Sequence, residues 1–265
     1  MQHVISKDGT KIAYDRTGEG PVVILVSGAL GVRSFPGTLR LAELLSERFT
    51  VINYDRRGRG DSGDGPEYAV EREIEDIEAL IDAAGGSASL YGISSGAILA
   101  LEAADRLKDK VRKLALYEPP LILDGSRPPL PADYVEQLRA ANEAGQPDKA
   151  LEIFMTQALL IPAEFLAPMK ESPMWQGMLA VAHTLAYDGE IARDVMAGRP
   201  LPEGKWADVR AKTVVVSGEL SEPFFRTAAE ELAARLPDAK AEVLAGQGHD
   251  VSSDAIAPLL IGFFG

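Results

Sequence analysis

Apolar residues along this chain fall into two rhythms. Short unbroken runs, such as "VVILV" at 22–26 and "VVV" at 214–216, alternate with longer stretches whose apolar positions recur at helical spacing. An unbroken run ended by glycine suits a strand covered on both faces, and the second spacing suits an amphipathic helix. From the N-terminus, "HVIS" and "KIAYDR" read as two short strands around Asp8-Gly9. Then come strand "PVVILVSG", helix "LRLAELLSERF", strand "TVINYD", and helix "AVEREIEDIEALIDAAGG", which glycines stop. Strand "SASLYG", helix "SGAILALEAADRL" and strand "VRKLALYE" follow.

This alternation predicts an α/β fold: a mostly parallel central sheet with helices on both faces. From Pro119 to about Pro202 the rhythm breaks. "ADYVEQLRAANEAG", "PDKALEIFMTQALL" and "MWQGMLAVAHTLAYDGEIARDVMAG" are helical in pattern, and prolines interrupt them. Strand and helix resume with "KTVVVSGE", "PFFRTAAEELAARL", "AEVLAG" and "DAIAPLLIGFF". The expectation is one core built from residues 1–118 and 206–265, with a helical insertion at 119–205. No internal repeat is visible.

Composition narrows the chemistry. The net charge of −13 argues against nucleic acid or an anionic membrane surface as partner. The chain has no cysteine, which removes disulfides, cysteine–zinc sites and a thiol nucleophile. The start, "MQHVISKDGTKIAYD", lacks a basic-then-apolar signal segment, and no apolar run is long enough to span a bilayer. A cytoplasmic location, a small-molecule partner, and no cofactor or metal are the expectations. "GRGDSG" at 58–63 has dinucleotide-loop spacing. It opens into Asp64-Gly65-Pro66 rather than a helix, and reads as a tight loop.

"GISSG" at 92–96 carries the sharper signal, because it lies between an apolar strand and a helix. In a G-x-S-x-G elbow the serine sits on a strained turn, so its neighbours two residues away must lack bulk. Ser94 would project off the sheet, and the Ser95 N–H would face any oxyanion that forms. The plainer reading is a serine capping the helix. A serine hydroxyl needs a base. Of three histidines, His3 is near the N-terminus and His183 lies in the helical insertion. His249, in "GQGHD" between the last strand and the last helix, falls at the strand ends where open α/β sheets place their sites.

With these motifs in hand, the chain resembles the α/β-hydrolase fold family over essentially its whole length. "VVILVSGAL", "NYDRRGRGDS", "GISSG" and "GQGHD" carry the resemblance, and Ser94 precedes His249 as in that family. The resemblance implies a lid over 119–205 and a second oxyanion donor at the Ala29 N–H. It further implies a hydrolase acting through an acyl-serine. Ser27-Gly28 stands where His-Gly is usual, and Ile93 precedes the nucleophile. More seriously, Ser221 stands where the family's aspartate is expected. Some relatives take the acid from the position of Glu118, at the end of "VRKLALYE". Glu222 and Glu219 are alternatives in the usual loop.

The expected function is a serine hydrolase acting on a small or medium apolar ester, lactone or thioester. Leu30, Ile93, Trp175 and Met178 are candidate pocket residues. Ser94 excludes an aspartate-nucleophile enzyme, whereas carbon–carbon bond hydrolysis or perhydrolysis would use the same parts. The absent aspartate at 221 also allows a degenerate fold that binds a small ligand without turnover.

Overall fold

The computed structural model describes residues 1–265. Before the insertion run β1 (Gln2–Ile5), β2 (Lys11–Thr17), β3 (Val22–Val26), α1 (Pro36–Ser46), β4 (Thr50–Tyr54), α2 (Val70–Ala83), β5 (Ala88–Ile93), α3 (Ser95–Leu107) and β6 (Val111–Tyr117). Helices α4 (Tyr134–Glu143), α5 (Pro147–Ile153), α6 (Leu166–Lys170), α7 (Pro173–Leu179) and α8 (Leu185–Ala192) come next. The chain closes with β7 (Lys212–Gly218), α9 (Pro223–Arg235), β8 (Ala239–Leu244) and α10 (Ser253–Phe264). One sheet of eight strands forms, in the order β1-β2-β4-β3-β5-β6-β7-β8. The β1–β2 and β2–β4 pairs are antiparallel, and every other pair is parallel.

The two faces of β3 show why its run is continuously apolar. Ile24 and Val26 pack into a core with α2, α3 and α9, while Val23 and Leu25 pack into a second core with α1 and α10. Burial on both faces leaves no strand position for a polar residue. After β3 the chain moves to β4 on one side and then to β5 on the other. Strand order therefore reverses about β3, and the loops after β3 and β5 part to leave a crevice at their carboxyl ends.

The inserted helices have a core of their own, with Leu138, Leu151, Trp175 and Leu185 at its centre. Two of the sequence expectations change here. The segment 174–198 is not one helix: α7 and α8 are separated by a short tight turn at Ala182–Thr184, where the Thr184 hydroxyl donates to the Val181 carbonyl at 2.8 Å. The helix expected over 147–160 ends as α5 at Ile153 and continues as a wider turn over Phe154–Ala158. No helix is long and apolar enough to cross a membrane.

Candidate active site

Ser94 sits between β5 and α3 with φ 56° and ψ −129°, and its side chain makes no capping bond to the helix. The plain-cap reading, which made Ser95 the capping residue, fails as well: Ser95 is the first residue of α3 and its hydroxyl donates to Asp188 Oδ1 at 2.7 Å. The glycines are sterically required. A Cβ on Gly92 would strike the Gly96 carbonyl oxygen and the Ala97 backbone, and one on Gly96 would strike the Val26 and Ser27 carbonyl oxygens. Gly28 lies so close to the elbow that its own Cβ would fall 3.0 Å from the Ser94 Cβ. The loop after β3 is thus packed directly against the serine.

Across the same crevice, His249 Nδ1 lies 2.7 Å from Glu118 Oε2. An ionised carboxylate can only accept, so Nδ1 is the donor of this pair, and the matching tautomer of a neutral imidazole presents Nε2 as an acceptor. The other carboxylate oxygen, Oε1, accepts the Gly218 N–H at 2.6 Å. Glu118 is fully buried and has φ 48°, in a region that non-glycine residues rarely occupy. Two further contacts hold the histidine. The Phe225 ring stacks on it at 4.7 Å, and the Tyr117 hydroxyl donates to the adjoining Gly248 carbonyl at 2.6 Å.

Ser94 and His249 line one cavity of about 740 Å³, whose wall is mostly apolar. Ala29, Leu30, Ile93, Ser95 and Met178 line it as well. Trp175 does not, which corrects the expectation for that residue. It is buried in the core of the inserted helices, and its indole N–H donates to Asp148 Oδ1 at 2.8 Å. The alternative acids are corrected too. Glu222 lines the cavity but pairs with Arg127 Nη1 at 2.7 Å, and Glu219 accepts the Gly246 N–H at 2.8 Å. The Ser221 hydroxyl is buried without a hydrogen-bond partner. His183 lies outside the cavity, 4.0 Å from Asp64, and His3 pairs within the β1–β2 ladder. No group of three or more His, Asp or Glu side chains is placed to hold a metal ion.

A buried ionic network, whose central carboxylate Asp188 lines the cavity, adjoins the site and has no counterpart among the sequence expectations. Arg56 pairs bidentately with Glu73 at 2.7 and 2.6 Å and reaches Asp188 Oδ1 at 2.6 Å. Arg59 reaches Asp188 Oδ2 at 2.6 Å, Thr184 Oγ1 at 3.0 Å and the Gly28 carbonyl at 2.6 Å. Asp188, on α8, also accepts from Ser95 Oγ at 2.7 Å. Burial disfavours its charge, but Arg59 and Arg56 outweigh that and hold its carboxyl below the ordinary range. The available signal was "DRRGRGDS" itself, since arginines at 56, 57 and 59 beside a buried strand must find acidic partners. Nothing in the sequence singled out Asp188 as one of them.

Eight strands in this order, with helices on both faces and a helical insertion after β6, define the α/β-hydrolase fold. The model of the alpha/beta hydrolase family matches residues 23–259, and the chain belongs to that family. The structure is similar to that of an alpha/beta hydrolase from Sphaerobacter thermophilus DSM 20745, at 48% identity and TM-score 0.91 over 100% of both chains. Curated relatives match over shorter spans. An uncharacterized hydrolase, YraK, of Bacillus subtilis (strain 168) is 30% identical over 49% of this chain and 50% of its own length. The serine hydrolase BPHL of Mus musculus is 33% identical over 43% of this chain and 41% of its own length. The chain thus spans half or less of the curated relatives it matches.

Proposed function

We propose that this chain is a serine hydrolase acting on small or medium apolar carboxylic esters, lactones or thioesters. The observation that carries the reading is the 2.7 Å contact between Glu118 and His249 Nδ1, which leaves Nε2 available as a base at the cavity shared with Ser94. In this reading His249 Nε2 takes the Ser94 proton as Oγ attacks the substrate carbonyl. The Ser95 and Ala29 N–H groups hold the oxyanion. The imidazolium, steadied by Glu118, returns its proton to the leaving group. Water, deprotonated by the same nitrogen, then cleaves the acyl-Ser94 ester and restores the enzyme.

The apolar wall favours uncharged acyl groups, and residues 119–205 act as a lid over the strand ends. A cytoplasmic location and a free small-molecule substrate, without nucleic acid or membrane, belong to the same reading. Binding without turnover drew its force from the missing carboxylate at Ser221. A carboxylate in hydrogen-bond contact with His249 favours turnover over that alternative.

The test is turnover of p-nitrophenyl esters of increasing acyl length, set beside a vinylogous diketone and a peroxide-dependent assay. Hydrolysis of the esters, abolished in Ser94→Ala, supports the reading. Absence of ester turnover with folded protein rejects it, and turnover of the diketone or peroxide alone reassigns the reaction.

A further inference from the structure

We infer that Arg59 is a positioning residue for the oxyanion site, acting through the Gly28–Ala29 peptide and clamped from α8 by Asp188. The inference rests on the serine-hydrolase reading and deepens it. The Gly28 carbonyl and the Ala29 N–H belong to one planar trans peptide, so they point in opposite directions. Whatever grips the carbonyl aims the N–H. Arg59 Nη1 grips it at 2.6 Å, and Nη1 also reaches the Gly31 carbonyl at 3.3 Å. Arg56 Nη1 adds a contact at 3.2 Å to the Ser27 carbonyl, one peptide earlier. The loop after β3 is therefore held by its carbonyls through two buried arginines that do not line the cavity. Leu30, next in that loop, has φ 61°, a conformation that needs outside support.

The grip is also electronic. A guanidinium on a carbonyl oxygen draws density from the peptide, which makes the N–H at its other end a stronger donor. Arg59 is 1% exposed, so water does not screen this effect. Asp188 completes the device. One of its oxygens takes Arg59 and the other takes Ser95 Oγ, the side chain of the residue that would supply the other oxyanion N–H. A single carboxylate on an inserted helix thus bears on both donors, and neither it nor Arg59 is needed to move a proton.

A structural ion network and an oxyanion device differ in what they do to an ester and its thiono analogue. Sulfur is a weak hydrogen-bond acceptor and gains little from the donors, so the wild type should strongly prefer the oxygen ester. The experiment measures kcat and KM for a p-nitrophenyl ester and its thionoester in wild type, Arg59→Lys, Arg59→Met and Thr184→Val, with thermal unfolding of each.

The removal of an oxyanion donor costs about 100- to 1,000-fold, and a misaimed, unpolarised donor should cost less. Arg59→Met is expected to lower kcat for the ester about 10- to 100-fold. KM should stay within about threefold, and the preference for ester over thionoester should shrink in step. Arg59→Lys should recover part of it. Thr184→Val, which removes the Arg59 Nε partner together with the bond to the Val181 carbonyl, should show a smaller change in the same direction and serves if Arg59→Met does not fold. An unchanged ester preference in every folded variant overturns the inference, whether kcat holds or falls equally on both substrates. If the wild type turns over neither substrate and its Ser94 is not labelled by a phosphonate, the hydrolase reading itself fails and takes this inference with it.

Discussion

Glu118 occupies a backbone conformation that costs a non-glycine residue of order 1–3 kcal/mol, and so does Ser94. The two meet at one crevice, where each strained turn aims a side chain that an extended strand end could not. The proposed role of Glu118 is to fix and charge-balance His249. Glu118→Gln should therefore lower kcat by about 1,000- to 10,000-fold, a loss read by ester hydrolysis on protein of near-native fold. Glu219→Gln, which gives up only an exposed bond to Gly246, should keep kcat within about twofold in the same assay. Equal losses in both variants would remove Glu118 from the assignment. At this scale the sequence spoke unevenly. Ser94 and His249 are legible because a motif and a scarcity mark them: five residues between strand and helix, and three histidines to choose from. Glu118 is one acid among 40 Asp and Glu residues, and its selection depends on a strand pairing that brings β6 and β7 together.

Elements succeed or fail in the sequence according to how local their causes are. The inner strands and the core helices follow from periodicity, because burial against the two cores imposes it residue by residue. The breaks in the inserted helices do not. The turn before α8 is set by Thr184, whose hydroxyl is engaged by Arg59 from a loop 125 residues away. Trp175 illustrates the same limit, since an aromatic at helical spacing reads alike whether it faces a cavity or a core. Trp175→Ala should destabilise the protein by about 3–5 kcal/mol, measured by urea unfolding, with little change in KM for short esters. A large rise in KM at unchanged stability would return Trp175 to the cavity wall. In the elbow, Gly92→Ala should abolish ester turnover, because its Cβ and the backbone of α3 cannot share the space.

The whole molecule joins its inserted helices to its sheet through buried charge. Removal of one partner from a buried pair costs about 3–5 kcal/mol, so Asp188→Asn should lose that order of stability at pH 7. The pH dependence follows from the direction of its shift. Arg59 and Arg56 depress the folded carboxyl below its unfolded value of about 3.9. A depressed carboxyl contributes stability above the unfolded value and loses it as pH falls through the folded one. The gap between wild type and Asp188→Asn should be full at pH 7 and narrow below about pH 4, as urea unfolding at both would record. A constant gap across that range would deny Asp188 its charge in the folded state.

The most direct measurement for the whole account is covalent labelling by a fluorophosphonate, located by peptide mass spectrometry. The account predicts rapid stoichiometric modification at Ser94, slowed severely in His249→Ala and Glu118→Gln. Folded wild-type protein that stays unmodified, or that is modified at another serine, contradicts it.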